Sequence, residues 1–457
     1  MRRRISLIGI LTVVCIVATS YVYAQEKPLT LSDCVKLAIE KNSTLKMAHY
    51  STEMTGADVL SSWSYILPTI DLRFTAGRYI QGERLRKMDV QIGTDPETGQ
   101  VIYAQREVIQ SSVERNSYSS SLSYNQTLFD FGRNFTLLNQ ARANHNASEL
   151  TFVSTRQAVV LDVKQKYFEL LKGIKLFEVY QETVNSSEEQ LNRTESMYEI
   201  GSVAQADVFK ARVTLGNAKI NLISQENNVD IARGNLNVAM GRSPEMSLRI
   251  VEVEPTLTPF PYTFNDALEI AVEKNPELAG LERTMHGYKL GMRAAKLAFL
   301  PSFGIGAYYN RNNEFFDKVY TTDLDRDYSI QFGASMDLNI FNGFTDKATY
   351  NKQAAYFKNA KEDMANRRRQ LVLDVHQAFQ NLEAMRKIAE INEDILISAE
   401  EDLRLAEERY RVGAGTLLEI NDARVAVTEA KQVLISAKYD TETAKASLEA
   451  VMGILEE

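Results

Sequence analysis

Cysteine is nearly missing from this chain, and so are tryptophan and histidine: two, one and four among 457 residues. Cys15 lies within residues 1–24, where Arg2, Arg3 and Arg4 precede an apolar run from Ile5 to Ala18 and Val22-Tyr23-Ala24 offers a small-residue cleavage site. That layout is a secretory signal peptide; an uncleaved anchor would need a longer apolar run. Val14 stands before Cys15 where a lipoprotein signal wants a small residue, which argues against lipidation there. Cys34 alone is left in the mature chain, so no intramolecular disulfide can form even in an oxidising compartment. His49, His145, His286 and His376 are scattered with no metal-ligand spacing. Nucleophile–base pairs and phosphate loops are also missing, so neither an enzyme nor a metal or cofactor is expected.

Positive charge is in deficit. Removing the leader takes three arginines and no acids, leaving (52 − 3) − 60 = −11. An acidic exported chain is a poor nucleic-acid binder. Long apolar runs are missing too: beyond the leader, none approaches the ~18–20 residues a membrane helix needs. If the protein crosses a membrane it must do so as a β-barrel, since only helices and closed barrels satisfy their backbone there.

What is present is a pattern written twice. The run from Thr30 to Asn42 returns from Thr263 to Asn275, an offset of 233 (263 − 30) that still holds at Leu67-Pro68 and Leu300-Pro301. Later the offset is 212 (341 − 129): Phe129 matches Phe341, Tyr198 and Gly201 match Tyr410 and Gly413, and Met240-Gly241 match Met452-Gly453. The first copy is therefore longer by 21 residues (233 − 212), all between Pro68 and Phe129. A solenoid would recur every 20–50 residues. This period instead predicts two similar halves, 25–254 and 255–457, with Pro255, Pro259 and Pro261 marking the linker.

Each half reads as a helix, two strands and two long helices. First helices are expected over about 30–63 and 263–297, capped by Thr30 or Ser32 and by Thr263 or Asn265, and stopped by the Leu-Pro pairs. The strands form hairpins over 66–130 and 300–342. Tyr328, Ile330, Phe332, Ala334, Met336, Leu338 and Ile340 alternate with Ser329, Gln331, Gly333, Ser335, Asp337 and Asn339. Ile70, Leu72, Phe74 and Ala76 alternate with Thr69, Asp71, Arg73 and Thr75. Period two marks a strand between two environments. A soluble sandwich alternates as well, but a polar face rich in Ser, Gly and Asn suits a wet lumen with lipid outside. The connections, about 80–116 with the turn cluster Gly93–Gly99 and about 311–327 with Asp323, Asp325 and Asp327, are expected as external loops. Helical periodicity then fills 134–199 and 346–411 without a proline, and some 66 residues give roughly 100 Å of helix. Gly201 and Gly413-Ala414-Gly415 turn these back into helices over 204–240 and 416–452, making helical hairpins of 134–241 and 346–453. Arg367-Arg368-Arg369 is read as a solvated helix face, and Trp63 as either an interface anchor or a core residue.

Four strands cannot close a barrel, which takes about eight. Other copies of the chain must complete the wall, and the long helices must form a coaxial hollow cylinder. These landmarks, together with Asn42-Ser43-Thr44-Leu45, Asn275-Pro276-Glu277-Leu278, Phe129-Asp130-Phe131-Gly132, Phe341-Asn342-Gly343 and Arg409-Tyr410-Arg411-Val412-Gly413, make the mature chain resemble the TolC-like outer-membrane efflux proteins. The resemblance implies an α+β membrane protein: a homotrimer whose twelve-stranded barrel, four strands per chain, sits in outer-membrane lipid and continues into a periplasmic α-helical barrel. It also implies a periplasmic adaptor (membrane fusion) protein and an inner-membrane RND or ABC transporter as partners. The function implied is the passive exit duct of a tripartite efflux or type I secretion system in a Gram-negative cell. The competing reading is a coiled-coil outer-membrane stalk or adhesin without a pore, which leaves the two alternating hairpins unexplained.

The resemblance places the turns at Gly201, Val203, Gly413 and Gly415 at the periplasmic tip, as adaptor contacts or as plain turn formers. Glu419 and Asp422, with Asp207 at the matching place in the first half, look like the family's acidic constriction. They stand equally as acids favoured by a helix start. Tyr410 looks like the gate latch or is a packing residue. Gly415 departs from members that carry an arginine there, so the expectation is either a weaker latch or one that uses Arg411 or Arg424.

Overall fold

The computed structural model describes residues 28–255, 257–320 and 326–455. The leader expected over 1–24, with Cys15 and its cleavage site, lies outside them, as do Asp323 and Asp325. The elements are α1 (Leu31–Lys41), α2 (Ser43–Ser62), β1 (Thr69–Gln81), β2 (Arg84–Thr94), β3 (Val101–Gln110), β4 (Val113–Phe129), α3 (Arg133–Glu199) and α4 (Gln205–Ala239). Then follow α5 (Phe264–Lys274), α6 (Pro276–Leu297), β5 (Ser302–Asn313), α7 (Phe316–Val319), β6 (Tyr328–Asp337), α8 (Thr345–Arg411) and α9 (Leu417–Val451). α3 and α8 have 67 residues each and α4 and α9 have 35 each. At 1.5 Å per residue the longer pair spans roughly 100 Å.

Both first helices break at an asparagine instead of running through. Thr30 and Asp33 close a capping box on α1, Thr30 Oγ1 accepting the Asp33 N–H at 3.1 Å, and Thr263 does the same for Asp266 on α5 at 3.3 Å. Asn42 and Asn275 then cap α2 and α6 through their Oδ1 atoms. Their Nδ2 groups donate to the Ala239 and Val451 carbonyls, at 2.9 and 3.1 Å. The matched sequence landmarks thus touch. Gly241 and Gly453 have positive φ at this crossing, and a Cβ on either would stand 2.7 Å from the carbonyl of Lys41 or Lys274. Only glycine lets the end of α4 or α9 approach so closely.

Two cores form at this level. Cys34, Ala38, Leu45, Val163, Leu170, Leu236 and Met240 belong to the first, on α1–α4. Ala267, Ala271, Leu278, Val375, Leu382, Leu448 and Met452 belong to the second, on α5, α6, α8 and α9. Burial drives the Cys34 thiol up to about 12, so it packs as a small hydrophobe. The stretch between the halves is strapped down by the Tyr167 hydroxyl, which donates to the Val251 carbonyl at 2.6 Å, and by Lys175 to Glu252 at 2.6 Å.

The sheet order is β1-β4-β5-β6, antiparallel throughout. Register puts Ile70, Leu72 and Phe74 on one face with Leu122 and Tyr124, Ile305 and Tyr309, and Ile330, Phe332 and Met336. Ser119, Ser121, Ser123, Asn125, Gly304, Gly306, Asn310, Gln331 and Ser335 share the other. Ile70, Leu72, Phe74, Ile330 and Phe332 are all more than half exposed. A continuous exposed apolar face of this kind marks a surface that something else must cover.

Further expectations are corrected. The stretch 80–116 is not a loop: it carries β2 and β3, which continue the β1–β4 pairing in the same register past a short opening at 82–83 and 111–112. Only Asp95–Gly99 turns, held by Thr98 Oγ1 and the Glu97 N–H on the Asp95 carboxylate. β6 stops at Asp337 although the alternation continues to Ile340, because its neighbour β5 begins at Ser302, after Pro301. Finally, Arg368 and Arg369 are exposed as expected, but Arg367 is partly buried. It ties α6 to α8 through Glu277 at 2.7 Å and Asp374 at 2.8 Å, and these carboxylates raise its pKa further. Trp63 lies at the surface beneath the guanidinium of Arg142, 5.6 Å from its ring centroid, and is no core residue. No described helix is long and apolar enough to cross a membrane.

Candidate functional site

The four long helices pack side by side. α3 touches α4 and α9, and α9 touches α8, giving the order α4-α3-α9-α8. Cross-links mark each seam: Arg212–Glu195 at 2.9 Å between α4 and α3, Lys172–Asp440 at 2.8 Å between α3 and α9, and Lys438–Glu393 at 2.7 Å between α9 and α8. The two outer helices each keep an apolar stripe with nothing on it. On α4 it comprises Phe209, Val213, Ile220, Ile223, Ile231 and Val238, all more than half exposed and spaced by threes, fours and their sums. On α8, Ile388, Ile391, Ile395 and Leu405 are exposed in the same rhythm.

At the far end, α3 and α8 close in matching turns. Gly201 and Gly413 take φ of 74° and 78°, and the Ser202 and Ala414 N–H groups reach back to the carbonyls of Met197 and Arg409 at 2.8 and 2.9 Å. Such left-handed C-caps favour glycine. Gly415 answers a different need. A Cβ there would stand 3.0 Å from the Tyr410 nitrogen and 3.3 Å from the Arg409 carbonyl carbon, so a side chain would push the turn's backbone by a few tenths of an ångström.

Of the three acids, only Asp207 caps a helix with its carboxylate. Asp207 Oδ2 accepts the Ala204 N–H at 3.3 Å at the start of α4. The Glu419 N–H donates to Thr416 Oγ1 at 3.3 Å at the start of α9, and its carboxylate lies 3.4 Å from Arg409. Asp422 is exposed one turn on. Among the described residues no contact joins Asp207 to Glu419 or Asp422. Tyr410 is half-buried against Ala406, Ile420 and Ala423, and its hydroxyl meets the Met197 sulfur at 3.5 Å, linking the ends of α8 and α3. Val203 is half-buried in the first turn.

Of the two arginines that the sequence offers as a substitute latch, one ties three helices together. Arg424 donates from α9 to Glu407 on α8 at 3.0 Å and to Gln190 on α3 at 3.5 Å. The residue that sequence reasoning missed is its partner Gln190, buried on α3, which carries no local signal. Arg411, the other residue suggested for this work, is exposed. Among the described residues no cluster of three His, Cys, Asp or Glu could hold a metal.

The family described as outer membrane efflux protein matches residues 34–242 and 267–454. The chain is 26% identical over 358 residues to outer membrane protein TolC of Escherichia coli (strain K12), covering 76% of this chain and 71% of that protein. It is 24% identical over 345 residues to the probable efflux pump outer membrane protein TtgC of Pseudomonas putida, covering 74% and 69%. A membrane protein of Pseudomonas aeruginosa of known crystal structure shares the fold, with a TM-score of 0.78 at 19% identity over 93% of both chains. With both halves matched by that family, the chain belongs to the outer membrane efflux proteins and serves in the outer membrane as an exit duct reaching into the periplasm.

Proposed function

We propose that three copies of this chain close into one tube, a twelve-stranded barrel above a twelve-helix conduit, through which cargo passes without chemistry. One observation carries this: the sheet and the helical layer are open along the same two sides. β4 leads into α3 and β6 into α8, so β1 and α4 form one raw edge and β6 and α8 the other. Edge strands and apolar helix stripes are unstable when left in water. Unlike edges that pair head to tail generate a ring when the rotation closes.

The halves act as two copies of one wall unit. The core pairs Cys34 and Ala267, Leu45 and Leu278, Val163 and Val375, and Met240 and Met452 keep the sequence offsets, which supports a duplication spanning 25–254 and 255–457. The tip is the gate. Glu419 and Asp422, as rings of three, form a cation-favouring constriction with Asp207 nearby; Tyr410 and Arg424 hold the tip closed. The turns at Gly201, Val203, Gly413 and Gly415 receive a periplasmic adaptor, and an inner-membrane RND or ABC transporter supplies cargo.

Planar-bilayer recording tests the reading. Discrete conductance steps from a detergent-stable trimer are expected; a monomer by light scattering, or no steps, would remove it. Glu419→Ala with Asp422→Ala should lower cation selectivity and block by trivalent cations. Unchanged selectivity places the constriction elsewhere.

A further inference from the structure

Between β5 and β6 the chain reads Glu314-Phe315-Phe316-Asp317-Lys318-Val319-Tyr320, three aromatic residues and a valine within one short helical turn and its flanks. A segment joining two strands at a wet pore mouth has no need of such a cluster. Its contacts say where it lies. The Phe316 ring meets Tyr118 edge-on at 5.5 Å, Tyr320 lies 5.3 Å from Phe74, and Phe316 and Tyr320 are 4.2 Å apart. Phe74 and Tyr118 both belong to the apolar face of the sheet, the face that carries Ile70, Leu122, Ile330 and Phe332. The segment therefore folds back over the lipid-facing side of the wall, not over the polar side.

Under it lies a charge that this face could not otherwise hold. Arg311 is in register with Ser120, and through it with Phe74, so its side chain leaves the sheet on the apolar face. There it is only 3% exposed, and it donates to the Arg326 carbonyl at 3.2 Å. Ser120 and Val319 are buried with it. An arginine bare to hydrocarbon is costly, and the cost falls towards the membrane surface. Here the fold covers it with Val319 and turns Phe315 and Phe316 outward, 63% and 56% exposed. Aromatic rings beside polar groups are the composition found where bilayer meets water.

We propose that Phe315–Tyr320 is a membrane-interface anchor: it lies outside the barrel wall against the headgroup region of the outer leaflet, shields Arg311, and sets how deep the barrel sits. This rests on the barrel reading above, and the test separates the two. Full-length protein with Trp63→Phe is reconstituted into phosphatidylcholine vesicles containing lipid brominated either near the headgroup or at the chain end. Three tryptophan reporters are compared: Phe316→Trp in the anchor, Phe332→Trp on the lipid-facing strand, and Tyr308→Trp on the polar face. The anchor is supported if the Phe316→Trp emission is lost to headgroup-proximal bromine more than to chain-end bromine, while Tyr308→Trp is quenched only by soluble acrylamide. It is overturned if Phe332→Trp is quenched by brominated lipid and Phe316→Trp is not. If neither is quenched, the assignment of the wall itself fails and the anchor with it. Phe315→Trp, read as a difference against unaltered protein that retains Trp63, gives the same comparison should Phe316→Trp or Trp63→Phe fail to assemble.

Discussion

Gly415 stands where the family resemblance calls for an arginine, and the reason is space. A Cβ would meet the Tyr410 nitrogen at 3.0 Å and Arg409 Cβ at 3.2 Å. The neighbours are mostly backbone and must shift to make room, so Gly415→Arg should strain the turn at a cost of about 1–3 kcal/mol, the usual range for overpacking. Faster hydrogen exchange at the amides of residues 413–416 would register it. In the proposed gate, holding the tip closed falls to Arg424. Its bonds to Glu407 and Gln190 connect three helices, and a hydrogen bond to a charged group contributes about 1.5–3 kcal/mol. Arg424→Ala should therefore raise the open-to-closed ratio roughly tenfold, about 1.4 kcal/mol, read as conductance of the resting channel. Tyr410→Phe should do far less, because a thioether is a weak acceptor. The tip was legible in part. The glycine turns and first-turn acids announce themselves locally, whereas Arg424 acts on Gln190, 234 positions away, and no local pattern records such a partner.

At the scale of elements, the ribbon of β2 and β3 shows where pattern reading fails. Period two is visible only when two faces meet different surroundings. On this ribbon Leu85, Met88, Tyr103 and Ile109 are exposed alongside charged neighbours, so the alternation carries no contrast and the strands read as loop. The wall strands, between apolar and polar surroundings, were plain. A bare two-stranded ribbon is marginal in water, and its tip depends on Asp95. The Thr98 hydroxyl and the Glu97 N–H hold that carboxyl below its ordinary value of 3.8. The sign is then fixed: a depressed carboxyl helps the fold above its unfolded pKa and loses that help as pH falls through the folded one. Acidification below 3.8 should loosen the turn, seen as proteolysis near residues 95–99, and Asp95→Asn should abolish the pH dependence. Because β1–β4 and β2–β3 share one register, replacing 82–112 by a two-residue Asn-Gly turn, which keeps Gln81 opposite Val113, should leave assembly and conductance intact.

At the scale of the molecule, the proposal of closure rests on counting: four strands per chain do not make a barrel. The order α4-α3-α9-α8, which decides which surfaces face a neighbour, was not legible, because the exposed stripes on α4 and α8 look in sequence like any buried helical face. They are told apart by substitution. Ile220→Lys with Ile223→Lys should place uncompensated charge in the seam, costing about 3 kcal/mol or more, and leave a folded monomer by light scattering. Leu236→Ala, in a fully buried site, should instead lower the unfolding free energy by about 2–5 kcal/mol without changing stoichiometry.

The two raw edges have a genetic consequence. A copy spoiled on α4 alone still offers a sound α8 edge, so it can join a growing ring and leave it unable to shut. Expressed beside the normal protein in equal amount, it would leave about one ring in eight made wholly of sound copies, if three join at random. A lesion on one seam should therefore act as a dominant poison in cells that still carry a good copy. A lesion in the core, which removes the chain before it can meet a neighbour, should be recessive.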